Sequence, residues 1–444
     1  MRVPQPAPPR SDTLAVLRES LADARKSRLI SRELARGPAP DGKYRHWETI
    51  RSIPAPAPLT PREIWAIRKM SRQPFYRQLA LVDKKRRPFK YALVDPVLER
   101  LHRIDREAAG QILLPERTAT PGERDRYVTR SLMEEAITSS QLEGAATTRA
   151  VAKEMLRSGR APRDPSEQMV LNNYRAMAYV RERTNEPLTP SFIEGLQRVV
   201  TAGTEASGAY RTLGDGVAVY SDANELLHAP PPADQIPERL VKLCIFANEA
   251  ETGVFLHPVL KSILLHFWLA YDHPFVDGNG RTARVLFYWS MLREGFWLAE
   301  FLSVSSVLKR APARYAKSFL YTETDENDIT YFMLAQLRAI ELAIKELRNH
   351  LAMRAKELRE VEIRIGPTSL FNHRQRSLLS HALRHADAVY DIASEQARHG
   401  VTYATARADL LGLADAGILT QSKRGRKFIF TVPEDIETRL SNAA

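Results

Sequence analysis

Twelve residues near the middle of the chain restrict its fold more than any other stretch: His273-Pro274-Phe275-Val276-Asp277-Gly278-Asn279-Gly280-Arg281-Thr282-Ala283-Arg284. An apolar segment opened by His257-Pro258 leads up to Tyr271, and a second helical segment starts around Arg281 and runs toward Leu292. Proline disfavours helical backbone in the residue before it, so Pro274 is predicted to end the first helix near His273. The chain must place a glycine-rich loop between two helices. Few structural tasks need an imidazole, a carboxylate, two glycines and two spaced arginines together.

Gly278 and Gly280 permit positive φ and keep side chains out of the loop, so successive backbone N–H groups can turn inward as an anion-binding nest. The nest opens a helix, whose partial positive end adds to the attraction. Arg281 and Arg284 are three apart and share a helix face, where two guanidinium forks suit successive phosphates of a nucleotide. Asp277 can hold a divalent cation whose other positions are filled by phosphates and water. Asn279 can donate its amide hydrogens to a phosphate oxygen. His273 is largely neutral near pH 7 and can accept a proton from an attacking hydroxyl. Phe275 anchors the loop in the core. Taken singly, Gly-Asn-Gly is an ordinary turn, a histidine beside proline a helix terminator, and Asp277 a cap. Together these readings leave the phase-matched arginines unexplained. The loop is not a Walker loop, because the Gly-Lys-Ser/Thr ending is absent.

The length of 444 residues predicts two or three units, and 65 Lys+Arg against 53 Asp+Glu favours anionic partners, nucleotide or nucleic acid. The single cysteine, Cys244, excludes an internal disulfide framework and fits a reducing compartment. The best apolar run, Val259 to Tyr271, is too short for a membrane span and is broken by Lys261, Ser262 and His266. The N-terminus lacks the apolar core of a secretion signal and carries Asp12, Glu19 and Asp23. A soluble, cytoplasmic protein without a membrane partner is expected.

Residues 1–45 read as a flexible arm with an amphipathic helix around Leu14 to Leu34, and 46–120 as an associated N-terminal helical region. The stretch Pro54-Ala55-Pro56-Ala57-Pro58 is stiff, Thr60-Pro61 opens a helix, and Lys84-Lys85-Arg86-Arg87 is a solvated basic turn. Residues 121–362 form the catalytic region. Within it, Asp164-Pro165-Ser166-Glu167 and Thr189-Pro190 start helices. Tyr210 to Ala233, with Gly214, Gly216, Val217, Val219, Tyr220 and three prolines, reads as a β-hairpin flap and a stiff loop. A long helix from Thr330 to about Val361 connects to a module at 366–444.

That module reads as a winged helix-turn-helix. One helix spans Asp391 to Arg398, Gly400-Val401-Thr402 is the turn, and a second helix spans Ala404 to Ala416 with Ala406, Leu410 and Leu413 inward. A two-stranded wing carries Lys423, Arg424, Arg426 and Lys427 at its tip, while Phe428 and Phe430 alternate inward. These basic residues suit phosphate contacts. Arg407 is the clearest base-reading candidate, and Asp409 would repel phosphate. A protein-docking or dimerising role stands beside DNA binding.

The twelve-residue segment resembles the signature of the Fic family (filamentation induced by cAMP), His-x-Phe-x-Asp/Glu-Gly-Asn-Gly-Arg-x-x-Arg, and matches every specified position. Family-like features run from about Trp47 to about Ala343. The resemblance implies a mainly α fold: a Fic-fold helical bundle with a β-hairpin flap, here plus a C-terminal winged helix-turn-helix domain. It implies transfer of AMP from ATP to a Tyr, Thr or Ser hydroxyl of a target protein, with Mg²⁺. His273 would be the general base and Asp277 the Mg²⁺ ligand. Gly278, Asn279 and Gly280 would hold the α- and β-phosphates, Arg281 the β-phosphate region and Arg284 the γ-phosphate. Val219 lies on the flap that pairs with the target's extended segment by strand addition. Tyr315, after Arg314, corresponds loosely to an adenine contact.

Upstream, Ser139-Ser140-Gln141-Leu142-Glu143-Gly144 closes a predicted helix with Gly144 as terminator, and Ser139 and Glu143 share one face. Alone it is an ordinary helix end with an exposed acid. It is similar to the family's inhibitory motif, Ser/Thr-x-x-x-Glu-Gly/Asn, which implies that Glu143 pairs with Arg284 and denies it to the γ-phosphate. The α-phosphate is then misaligned, and a displacement of about 1 Å can lower the rate by about two orders of magnitude. Alternatives on the same residues are removal of AMP, transfer of UMP or phosphate, or a nucleotide-sensing DNA-binding regulator. A homodimer also stays open.

Overall fold

A computed structural model describes the whole chain except residues 1, 109–120, 222, 249–254, 366–369, 386–387, 425–426 and 444. It divides into two compact units, residues 1–110 with 131–344, and 111–130 with 345–444. The division falls inside the long helix Thr330–Ile365, earlier than the boundary expected after residue 362. No helix among the described residues is long and apolar enough to cross a membrane.

The first unit is built around the antiparallel helices Pro258–Asp272 and Asn279–Arg293. Almost every side chain of the pair is buried, as a helix apolar on all sides requires. His257 caps the first helix by accepting from the Val259 N–H at 3.2 Å, and Pro258 occupies its first turn. The helix ends at His273, whose φ of 47° is left-handed; Gly278, at φ 82°, opens the second helix. Pro165–Glu182, capped by Asp164, and Pro190–Val200, capped by Thr189, pack on the second helix. Both begin where the sequence placed them.

Residues 1–45 are not a flexible arm. Helices Arg10–Leu21 and Ala24–Ala35, separated at the capping residue Asp23, bury Leu17 and Ile30 against Leu59, Ala66 and Ile67. Glu63 accepts hydrogen bonds from Ser20 at 2.6 Å and Lys26 at 2.7 Å, and Glu33 pairs with the buried Arg68. Charges that look solvated in sequence are docking contacts here. The region after residue 46 is also not purely helical. Tyr76–Val82 and Pro88–Ala92 form an antiparallel hairpin, because Leu79, Leu81, Phe89 and Tyr91 alternate inward. The basic residues 84–87 form its exposed turn, with Asp83 accepting from the N–H groups of Lys85 and Arg87 at 2.8 Å.

The flap is a short hairpin, Val219–Tyr220 against Leu226–His228, with Val219 opposite His228. His228 Nε2 donates to the Tyr271 carbonyl at 2.8 Å, since a carbonyl only accepts. This bond ties the flap to the helix end just before His273.

In the second unit, helices His373–Arg384, Ile392–His399, Tyr403–Asp415 and Ile436–Ala443 surround a three-stranded antiparallel sheet. Its order is Val389–Asp391, Lys427–Thr431, Thr420–Arg424. Leu378, Leu379, Leu410, Leu413, Ile418 and Phe430 form the core, with Phe428 partly buried against it. The strand at Val389 was not anticipated, and it moves the next helix on by one residue: Asp391 closes the strand and caps Ile392–His399.

Candidate active site

The loop between the two central helices is held from both sides. Arg211 pairs its backbone with the loop, its N–H donating to the Pro274 carbonyl at 3.0 Å. Its buried guanidinium donates to the carbonyls of His273 at 2.7 Å, Asp272 at 3.1 Å and Pro231 at 2.5 Å. Tyr210 stacks on Phe275, centroids 5.0 Å apart, and Phe275 is fully buried. Asp272 is fixed by Arg239 at 2.6 Å and by the Trp268 indole at 3.0 Å. Burial raises the Asp272 pKa to about 6, against the lowering effect of Arg239.

Nδ1 of His273 lies 3.1 Å from the Ala270 carbonyl. That oxygen can only accept, so Nδ1 carries the proton and Nε2 keeps its lone pair. Burial lowers the His273 pKa to about 4, and the Ala270 bond opposes this. The ring is a neutral acceptor at pH 7.

Asp277 accepts from the Gly278 N–H at 2.6 Å and from Arg281 at 2.9 Å, and its side chain is 54% exposed. Gln197 holds the Asp277 carbonyl at 3.0 Å. The first bond of the following helix runs from the Thr282 N–H to the Gly278 carbonyl at 2.9 Å. The N–H groups of Asn279, Gly280 and Arg281 precede it, which makes them the unpaired amides of a helix start. Arg281 also donates to the Val200 carbonyl at 3.1 Å, and its buried Nε has no partner.

Arg284 is 3% exposed and is gripped from the helix Pro121–Leu142. It donates to the Ser139 hydroxyl at 2.8 Å, the Ser139 carbonyl at 3.0 Å and the Glu143 carboxylate at 2.7 Å. A Cβ on Gly280 would collide with the Glu143 carboxylate and come within 2.9 Å of its Cδ. An internal carboxylate thus lies against the helix start where an anion is favoured. Gly144, at φ 93°, turns the chain immediately afterwards.

Residues 187–291 match the Fic/DOC family. That stretch contains the loop, the flap and both central helices up to Met291. Residues 187–291 are a Fic domain. Over 72 residues the chain is 42% identical to a protein adenylyltransferase Fic of Nematostella vectensis, covering 16% of each chain. Over 69 residues it is 38% identical to that of Drosophila virilis, covering 16% of this chain and 14% of the relative. The alignments therefore span about a sixth of these relatives' length. A Fic family protein from Desulfovibrio desulfuricans G20 superposes with a TM-score of 0.51 at 18% identity, covering 78% of this chain and 98% of that one. This last likeness concerns the fold, and it supports the mainly helical architecture.

The Fic domain gathers His273, Asp277, Gly278, Gly280 and Arg281, and Ser139 and Glu143 reach Arg284 from outside it. Three expected roles take a more specific form in the structure. Asn279 does not offer its amide to a ligand: its Oδ1 accepts from the Phe275 N–H at 2.9 Å and its Nδ2 donates to the Phe275 carbonyl at 2.8 Å. It closes the loop that presents the nest. Tyr315, expected as a loose adenine contact, is half-buried and its hydroxyl also stands beside Arg284. Its hydroxyl meets His266 at 2.8 Å, and its ring packs on Phe319 and Phe332. Asp409 does not face phosphate as a free charge, because Arg374 at 2.6 Å and Asn372 at 2.6 Å occupy it.

Arg407 and Lys423 are exposed on the second unit, Arg424 ends its strand opposite Lys427, and Arg426 lies outside the described residues. Sequence reasoning missed Arg211, Gln197, Asp272 and Arg239. Each acts on backbone carbonyls or on a buried partner far along the chain, and no local spacing announces such contacts.

Among the described residues no group of three or more His, Cys, Asp or Glu could hold a metal ion. A half-exposed carboxylate at the mouth of an amide nest still fits Mg²⁺, which commonly takes one or two protein carboxylates and completes its shell with phosphates and water.

Proposed function

We propose that this chain is a protein adenylyltransferase that moves AMP from ATP to a Ser, Thr or Tyr hydroxyl of a target protein and is held in check by Glu143. The observation that carries this reading is the neutral His273, with Nε2 free to accept, at the entrance of an amide nest flanked by Arg281 and Arg284. In the reaction, the target hydroxyl loses its proton to His273 Nε2 as its oxygen bonds to the α-phosphorus. The bond from that phosphorus to the bridging oxygen breaks, and pyrophosphate leaves. The N–H groups of Asn279, Gly280 and Arg281 orient the phosphates, and Arg281 offsets charge on the leaving group. Asp277 would hold Mg²⁺, which would neutralise phosphate charge when bound.

Glu143 blocks this arrangement by holding Arg284 and lying over Gly280, where phosphate oxygens would sit. The test is Glu143→Gly with ATP labelled at the α-phosphate. Incorporation into the protein itself is expected to rise about a hundredfold over the parent, the cost of a misplacement of about 1 Å. Unchanged labelling would remove the brake from the account.

Glu143 also acts electrostatically on His273, so the same pair suits water-driven removal of AMP. Release of AMP from a pre-labelled sample by the parent, and not by Glu143→Gly, would favour that direction. The target segment would dock on the flap beside Val219 by strand addition. We read the second unit as a winged helix-turn-helix whose wing strand carries Lys423 and Arg424, for which DNA or a protein is the partner. A gel shift abolished by Lys423→Glu with Arg426→Glu supports DNA, and an insensitive shift argues for protein docking.

A further inference from the structure

Glu135, Ser139 and Glu143 follow one another at four-residue intervals and so lie along one helix face. The last two grip Arg284. The first meets Tyr288, one turn beyond Arg284 on the opposing helix, through a 2.8 Å bond from the Tyr288 hydroxyl. The two helices are thus joined twice along the same line, and only one junction involves a group expected to touch nucleotide.

The second junction is elaborate for a place without ligand. Glu135 is 2% exposed. Besides Tyr288, its Oε2 accepts from the Ser303 hydroxyl at 3.1 Å and the Ser305 N–H at 3.0 Å, and its Oε1 accepts from the Ser305 hydroxyl. Thr138, beside it, lies 3.4 Å from the Ser303 hydroxyl, and Gln141, further along, meets Lys309. The segment from Ser303 to Lys309 therefore holds the last turns of the inhibitory helix at several points. Glu135 has no direct cation partner; hydroxyl and amide donors satisfy it, and Arg284 adds a longer-range attraction. Burying a carboxylate in this way is costly unless every lone pair is matched, which fixes the geometry of what it joins.

We propose that Glu135 is the positioning residue of the brake: by locking its helix to Tyr288 and to Ser303 and Ser305, it sets the rotation and height at which Glu143 reaches Arg284. Glu143 supplies the blocking charge, and Glu135 determines where that charge sits. This rests on the reading of Glu143 as an inhibitor of nucleotide transfer.

The experiment measures AMP incorporation from α-labelled ATP into the full-length chain, comparing the parent, Glu143→Gly, Glu135→Ala, Glu135→Gln, Ser305→Ala and the Glu135→Ala/Glu143→Gly double variant. Glu135→Ala is expected to raise labelling about tenfold, less than Glu143→Gly, because the blocking carboxylate still returns part of the time. Glu135→Gln and Ser305→Ala should give smaller rises. The double variant should match Glu143→Gly, since both changes release the same contact. A merely structural role for Glu135 lowers activity, so a gain is the distinguishing sign. Parent-level labelling by Glu135→Ala, with a fully active double variant, overturns the proposal. If the double variant is inactive, Glu135→Gln and Ser305→Ala decide: a rise in either supports the proposal, and parent-level labelling in both overturns it. If Glu143→Gly itself fails to rise, the functional reading falls and this inference with it.

Discussion

Arg281 and Arg284 stand one turn apart on the same helix and are equally buried, at 3% exposure, yet they are held in opposite ways. Arg281 is tied to its own surroundings, Asp277 in the same loop and the Val200 carbonyl beneath it. Arg284 is tied to Glu143 and Ser139, 141 and 145 residues earlier. The Asp277 contact comes with the loop itself, and the Val200 contact with the helix Pro190–Val200 that packs beneath it. The second set exists only while the helix Pro121–Leu142 is docked. A local tie of this kind belongs to the cradle, whereas a remote one is a place where the site can be opened without being dismantled.

The largest test asks whether the cradle does chemistry at all. In the Glu143→Gly background, His273→Ala should lower AMP incorporation by about two to four orders of magnitude, the usual worth of a general base. Undiminished labelling would leave both arginines without a reaction to serve. The next test separates the two arginines directly. Arg284→Ala in the same background should lower kcat/KM for ATP by about ten- to a hundredfold, the worth of a charge-assisted hydrogen bond, and should also lower the melting temperature somewhat, because it leaves the buried Ser139 carbonyl unpaired. Arg281→Ala should lower activity and melting temperature together, because it leaves the Val200 carbonyl and one Asp277 oxygen unpaired. An unchanged kcat/KM for ATP in Arg284→Ala would break the distinction. Smaller still, Asn279→Ala should cost about 1–3 kcal/mol in urea unfolding, since it strands the buried backbone groups of Phe275.

The same distinction explains what could be read in advance. The glycines, His273, Asp277 and the arginine spacing were legible because their chemistry is local: positive φ, a helix start and a shared face are all set within a few residues. The pairing of Glu143 with Arg284 was legible only through a motif, since nothing in either segment points to the other. Asn279 was misjudged because an amide in a tight loop is as well suited to closing the loop as to binding a ligand, and the choice depends on where the Phe275 backbone turns. The first 45 residues were misjudged for a tertiary reason. Glu33 and Lys26 look like solvent-facing charges until Arg68 and Glu63, 35 and 37 residues later, meet them. Arg211 carried no signal at all, because its partners are three backbone carbonyls.

The smallest effect is one of pH, and it again separates the two ends of the site. Burial lowers the pKa of His273 to about 4, at the loop entrance, and that of His266 to about 3, where the charge of Arg284 adds to the lowering; His46, in the N-terminal region, is lowered to about 4. All three are neutral in the folded state while the unfolded chain begins to bind their protons near pH 6.5. Their contribution is therefore full above pH 6.5 and is lost as pH falls through about 4. Asp272 has the opposite sign: its raised pKa gives a contribution present below its ordinary value of 3.8 and lost as pH rises through about 6. Three groups outweigh one, so the urea midpoint should fall between pH 6.5 and pH 4, and His266→Gln should flatten part of that slope. Activity follows His273 alone. In Glu143→Gly, the kcat/KM profile should stay level down to about pH 5, and its acid limb should lie near or below pH 4, because Glu143 raises the His273 pKa in the parent and its loss lowers it. An acid limb near 6.5 would mean that the base is a solvated imidazole, and the half-buried, Ala270-bonded ring at the loop entrance would lose its role.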